Sequence, residues 1–137
     1  MGPAVRPHPS PERALLDTSV LIGGDIDPID GALAISAISV AELQFGVLVA
    51  KTAAARAERL RRLSIIQQHF DPLPVDEAVA ISYGRLAAAV VDAGRQPRRR
   101  SMDLLIAATA HAHGARLYTR NVEDFAGLEE LVDITAL

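Results

Sequence analysis

Short apolar runs and stretches of helical periodicity take turns along this chain, the pattern that a parallel sheet with crossover helices requires. Ala14–Leu16 reads as a buried strand, Thr18–Ile22 as a helical turn ended by Gly23 and Gly24, and Leu33–Ala37 as a second strand. Ser39 is placed to cap a helix reaching about Ala50. A longer helix follows from about Ala53 to Gln68, with Leu60, Leu63, Ile65 and Ile66 as its apolar stripe and Glu58 four residues ahead of Arg62. Leu73–Val75 fits a short strand between prolines. Asp76 caps a helix that ends at Gly94, and a Pro97 loop leads to another from about Ser101 to His113. Arg116–Thr119 as strand, Val122–Ala126 as helical turn and Leu131–Ile134 as last strand complete a three-layer α/β/α sandwich around a mostly parallel sheet. Residues 13–137 form one domain, and residues 1–12, with four prolines and no apolar periodicity, are expected to be a flexible extension.

A chain of 137 residues suffices for one packed core. No apolar stretch approaches the roughly 20 residues that cross a bilayer. The early apolar residues, broken at Asp17, do not make a secretory signal, so a cytoplasmic location without membrane contact is expected. The absence of cysteine removes disulfides, thiolate metal sites and cysteine nucleophiles, leaving oxygen or imidazole for any metal. A net charge of -3 argues at first against a polyanionic partner. Setting four cation-bound carboxylates aside leaves the balance slightly positive, however, and Lys51 is the one lysine among 14 basic residues, the others being arginines suited to bidentate phosphate contact or reflecting codon bias.

Four acids, Asp17, Glu42, Asp103 and Asp124, follow predicted strands or lie near the starts of helices. In a parallel sheet such positions converge on one edge, where ligands bind. Each has a structural explanation as well. Asp17 can cap the turn at Thr18, Ser39 with Glu42 forms a capping-box pattern, and Asp103 and Asp124 suit the first turns of their helices. Asp103 nevertheless opens the otherwise apolar run Leu104–Ala108, where a lone buried carboxylate is costly. Clustered carboxylates repel, and a hard divalent cation, Mg²⁺ or Mn²⁺, resolves the repulsion. Carboxylates with such a cation are apparatus for phosphodiester hydrolysis.

Leu15-Leu16-Asp17-Thr18-Ser19-Val20, Ser39-Val40-Ala41-Glu42-Leu43, Asp103-Leu104-Leu105-Ile106-Ala107-Ala108-Thr109-Ala110 and Leu117-Tyr118-Thr119-Arg120-Asn121-Val122-Glu123-Asp124-Phe125 resemble, in order and spacing, the four motifs of PIN-domain proteins, above all VapC-type toxins of bacterial toxin–antitoxin pairs. The resemblance implies a PIN-like nuclease domain from residue 13 onward: a Mg²⁺-dependent endoribonuclease, with Mn²⁺ as substitute, restrained by a VapB-type antitoxin and assembled as a homodimer. RNA is the implied substrate, tRNA and rRNA being candidates. The family's acidic quartet falls on Asp17, Glu42, Asp103 and Asp124. Within it, Asp17 and Asp103 are expected as principal metal ligands, with Asp124 completing the site directly or through water. Glu42 is expected to orient or deprotonate a metal-activated water, leaving 5′-phosphate and 3′-hydroxyl ends.

Thr18, Ser19, Thr119 and Asn121 are expected to support the ligands by hydrogen bonding, against an alternative as turn and cap residues. Arg95, Arg98, Arg99 and Arg100 form a basic loop before Asp103 and are candidate RNA-backbone contacts, or else a solvated or antitoxin-binding surface. Arg56, Arg59, Arg61 and Arg62 read mostly as the exposed side of an amphipathic helix, with contact to RNA or antitoxin as the alternative. His111 and His113 do not share a helical face and are expected to act at the helix C-terminus. A receiver-like phosphoacceptor lacks its late-strand lysine here, Thr119 and Arg120 occupying that place. A PIN-like module without activity is the other alternative.

Overall fold

The computed structural model describes residues 12–23 and 29–137. Four parallel strands form one sheet in the order β2-β1-β3-β4: β1 Arg13–Leu16, β2 Ala32–Ala34, β3 Arg116–Thr119 and β4 Ile134–Ala136. The central pair is β1 and β3, separated by about a hundred residues yet in register as Leu15 opposite Leu117. Neighbouring side chains on a strand point to opposite faces, and the two cores follow this rule. Leu15 and Leu117 belong to one, beneath α4 (Glu77–Asp92) and α5 (Ser101–Ala112), with Val79, Leu86, Leu104 and Ile106. Leu16 and Tyr118 face the other, against α1 (Thr18–Ile22), α2 (Ala37–Leu48) and α3 (Ala53–His69), through Val20, Leu43, Val47, Leu63 and Ile66. This is the expected three-layer α/β/α sandwich.

Local chemistry sets most boundaries. Thr52 and Asp76 accept backbone N–H bonds at the starts of α3 and α4. Gly94 and Gly114 follow α4 and α5 at φ +77° and +60°, left-handed positions that a glycine occupies without a Cβ penalty.

Several expectations need correction. Ser36, not Ser39, caps α2, its hydroxyl accepting from Ile38 N at 3.0 Å, and β2 ends at Ala34 rather than Ala37. Ser39 is consumed by a tertiary contact instead. Leu73 makes a single parallel bridge with Ser36 and no strand to Val75 forms. The last strand lies at Ile134–Ala136, because Leu131 and Val132 are taken up by turns closing on Leu128 O. In α3, Leu63 and Ile66 are buried but Leu60 and Ile65 are exposed, and Glu58 pairs with Arg61 rather than Arg62. Gly23 ends α1, while Gly24 and the extension up to residue 11 lie outside the described residues. Among the described residues no helix is long and apolar enough to cross a membrane.

Candidate active site

Parallel strands deliver their carboxyl ends to one edge, and the four acids meet there. Asp17 directly follows β1 and Asp103 lies in the first turn of α5; Glu42 is on α2, and Asp124 lies in the 3-10 turn Val122–Phe125 after β3. All four line one pocket of about 190 Å³, together with Thr18, Ser19, Ile22 and Asn121.

Asp17 is 4% exposed, and its environment explains how a carboxylate is tolerated there. Its backbone N–H donates to Tyr118 O at 2.9 Å, joining the ends of the central strands. Its side chain makes no helix cap; Oδ2 accepts from Ser19 Oγ at 2.7 Å and Thr119 Oγ1 at 2.8 Å. Among the described residues Oδ1 has no hydrogen-bond partner. Ser19 Oγ and Thr119 Oγ1 are themselves fixed, accepting from the backbone N–H groups of Arg120 and Asn121 at 3.0 Å each. Asn121 O accepts from Asp124 N at 3.0 Å, so the network runs from Asp17 to the turn carrying Asp124.

Glu42 is held differently. Thr18 Oγ1 donates to Glu42 Oε1 at 2.7 Å and lies 2.8 Å from the hydroxyl of buried Ser39. The capping-box alternative fails with the Ser36 cap, and Glu42 is aimed at the pocket by a threonine from another element. Ser39 is the residue that sequence reasoning misplaced: two serines three apart both precede the apolar part of α2, and only the approach of Thr18 separates their roles.

The electrostatic signature falls on half-buried Asp103, whose pKa is raised to about 6, first by burial and then by the charges of Asp124, Asp17 and Glu42. Arg100 acts in the opposite direction. Its guanidinium donates to Glu123 O at 2.9 Å, tying the 3-10 turn Pro97–Arg100 to the one carrying Asp124. Arg95, Arg99 and Arg100 line a depression of about 320 Å³ with Gly94 and Gln96, whereas Arg98 is exposed outside it. His111 reaches across to α4, 2.8 Å from Ser82 Oγ, and His113 is the residue that ends α5. Neither lies in the acidic pocket.

An oxygen-only donor set of four carboxylates lining one pocket fits a hard cation by chemistry. Among the described residues no three acids or imidazoles stand close enough to make a finished cage. A cation here would take fewer direct carboxylates and complete its shell with water, as Mg²⁺ characteristically does.

A family model described as the PIN domain matches residues 14–130. The chain belongs to the PIN-domain family. Its relatives within that family are of the VapC type. It is 36% identical over 126 residues to Ribonuclease VapC5 of Mycobacterium tuberculosis, covering 88% of this chain and 90% of that protein. It is 42% identical over 100 residues to Ribonuclease VapC8 of the same species, covering 70% and 88%. The crystal structure of VapBC-5 from Mycobacterium tuberculosis, a member of the VapBC family of toxin-antitoxin systems, superposes with TM-score 0.80 at 34% identity, over 93% of this chain and 98% of that one. The PIN-domain match spans all four acids, all of β3 and all of β1 but Arg13.

Proposed function

We propose that this PIN-domain chain is the ribonuclease toxin of a toxin–antitoxin pair and hydrolyses RNA phosphodiester bonds with Mg²⁺ or Mn²⁺ at the acidic pocket. The observation that carries this reading is the meeting of Asp17, Glu42, Asp103 and Asp124, from four separate elements, in one pocket where burial, and after it the other three charges, raise the pKa of Asp103 to about 6. The VapC-named relatives supply the substrate class.

When bound, the cation offsets charge on the scissile phosphate and makes water more acidic. Asp17 and Asp103 would hold it, with Asp124 acting directly or through water. Ser19 and Thr119 fix Asp17 Oδ2, which keeps Oδ1 directed without rotation of the carboxylate. Thr18 fixes Glu42 Oε1, so that Oε2 accepts a proton from the attacking water. The P–O3′ bond breaks, its oxygen takes a proton, and 5′-phosphate and 3′-hydroxyl ends result. Asn121 carries Asp124 through its backbone carbonyl. Arg95, Arg99 and Arg100 offer guanidinium groups to RNA phosphates beside Asp103, with Arg98 at the outer margin.

The VapB-type antitoxin partner is supported by the apolar surface of the α2–α3 pair. Phe45, Leu48, Val49, Leu60 and Ile65 are exposed there, large apolar side chains suited to an apolar face of a partner. Homodimer assembly belongs to the same reading.

Purified, partner-free chain incubated with total RNA and Mg²⁺ or Mn²⁺ tests this reading. Cleavage is expected to stop with EDTA and with Asp17→Asn. Cleavage surviving both would overturn the metal mechanism, and phosphate transfer to an aspartate would favour a phosphoacceptor.

A further inference from the structure

A second and larger cavity opens against the acidic pocket. It measures about 460 Å³ and is lined by Thr18, Ile22, Glu42, Leu43, Gly46, Arg59 and Arg62. Thr18, Ile22 and Glu42 line both cavities, so the Thr18–Glu42 hydrogen bond forms part of the wall they share.

The α3 arginines divide by partner. Arg61 pairs with Glu58 at 2.7 Å on exposed surface. Arg59 and Arg62, three residues apart and therefore on one helical face, both reach the cleft, and among the described residues neither belongs to a salt bridge. Arg59 Nη1 donates to Gly46 O at 2.7 Å, which anchors the guanidinium while leaving other N–H groups for a ligand. The apolar lining comes from Ile22, about half exposed, and Leu43.

We propose that this cleft seats the nucleotides adjoining the scissile phosphate, with Arg59 and Arg62 each contacting a phosphate of its own and Ile22 a base or ribose. This rests on the ribonuclease reading. A strand whose scissile phosphate lies among carboxylates must leave that pocket past groups of opposite charge. Two arginine-lined depressions adjoin it, one beyond Glu42 and one beside Asp103 through Arg100. Guanidiniums in no salt bridge among the described residues, contiguous with the reacting bond, favour RNA as occupant over an antitoxin segment.

The test uses the full chain carrying Asp17→Asn, so that RNA binds uncut, and follows a short single-stranded oligoribonucleotide by fluorescence anisotropy over a range of salt. Adding Arg59→Gln and Arg62→Gln together is expected to flatten the dependence of log Kd on log salt by about 1.4, about 0.7 for each lost phosphate contact. Arg62→Gln alone, which breaks no hydrogen bond among the described residues, is expected to flatten it by about 0.7, and Arg62→Lys to restore the slope. With all four acids intact, Arg62→Gln is expected to raise KM several-fold with little change in kcat. An unchanged slope in a protein that still cleaves RNA would overturn the subsite and leave the ribonuclease reading standing. An unchanged slope with lost antitoxin binding would overturn it by assigning the cleft to that partner. Failure of the chain with intact acids to bind or cut any RNA would overturn both readings.

Discussion

Thr119 donates its hydroxyl to Asp17 Oδ2 at 2.8 Å across 102 residues of sequence, and in the same position accepts from Asn121 N. One fully buried hydroxyl thus fixes a carboxylate at the end of β1 and the backbone that leads to Asp124. Thr119→Val keeps the shape and removes both bonds. It is expected to cost about 1–3 kcal/mol, because a buried carboxylate oxygen loses one of its two donors and a backbone N–H loses its acceptor. Urea unfolding of Thr119→Val against Thr119→Ser measures this, and equal midpoints would show the hydroxyl to be dispensable.

Asp17→Asn separates the fold from the chemistry. The amide oxygen of asparagine can still accept from Ser19 and Thr119, so the unfolding midpoint should move little. RNA cleavage should fall by roughly 100-fold or more, since the substituted group loses its charge towards the cation. A variant that keeps near-native cleavage would remove Asp17 from the proposed ligand set.

Thr18→Val tests whether Glu42 works as an aimed base. The substitution deletes the 2.7 Å hydrogen bond to Oε1 while filling nearly the same volume. A charge-assisted bond of this kind contributes about 1.5–3 kcal/mol, so kcat should drop by about tenfold or more as Glu42 loses its orientation. Thr18→Ser should recover most of the rate. Similar steady-state rates for the valine and serine variants would count against this positioning role.

Asp103 sets a pH dependence whose sign is fixed. Its carboxyl titrates near pH 6 in the fold against 3.8 ordinarily, so between those values the folded state holds more protons than the unfolded chain. Without divalent cation, stability should therefore fall as pH rises from about 4 to 6 and level off above. The contribution is about 1 kcal/mol once solvent screening of a half-exposed group is allowed for. Asp103→Asn should flatten this component, and Mg²⁺ should raise the unfolding temperature more at pH 8 than at pH 5. Thermal unfolding of both proteins with EDTA or Mg²⁺ decides it; equal pH slopes for the two would sink the claim.

The alternation of apolar runs and helices made the sandwich legible in the sequence, and parallel topology then put the four acids on one edge. What stayed hidden depends on tertiary contacts. Ser36 and Ser39 look alike as caps until Thr18 arrives beside Ser39. Leu131 and Val132 have strand character, yet they are drawn into turns around Leu128, and the three residues after Asp133 pair with β3 instead. The α3 arginines read together, mostly as a solvated face with RNA or antitoxin contact as the alternative, because a helix sequence does not tell which neighbour each side chain meets. Glu58 neutralises Arg61, whereas Arg59 and Arg62 turn to α2 and the cleft.

The central strands β1 and β3 pair across most of the chain's length. During synthesis, Asp17 and Glu42 therefore exist long before their counterparts, and β1 waits with its inner edge unmatched until residue 116 and beyond have emerged. Whatever chemistry the pocket performs is withheld from the nascent polypeptide until Asp103 and Asp124 have been made and β3 has closed the sheet.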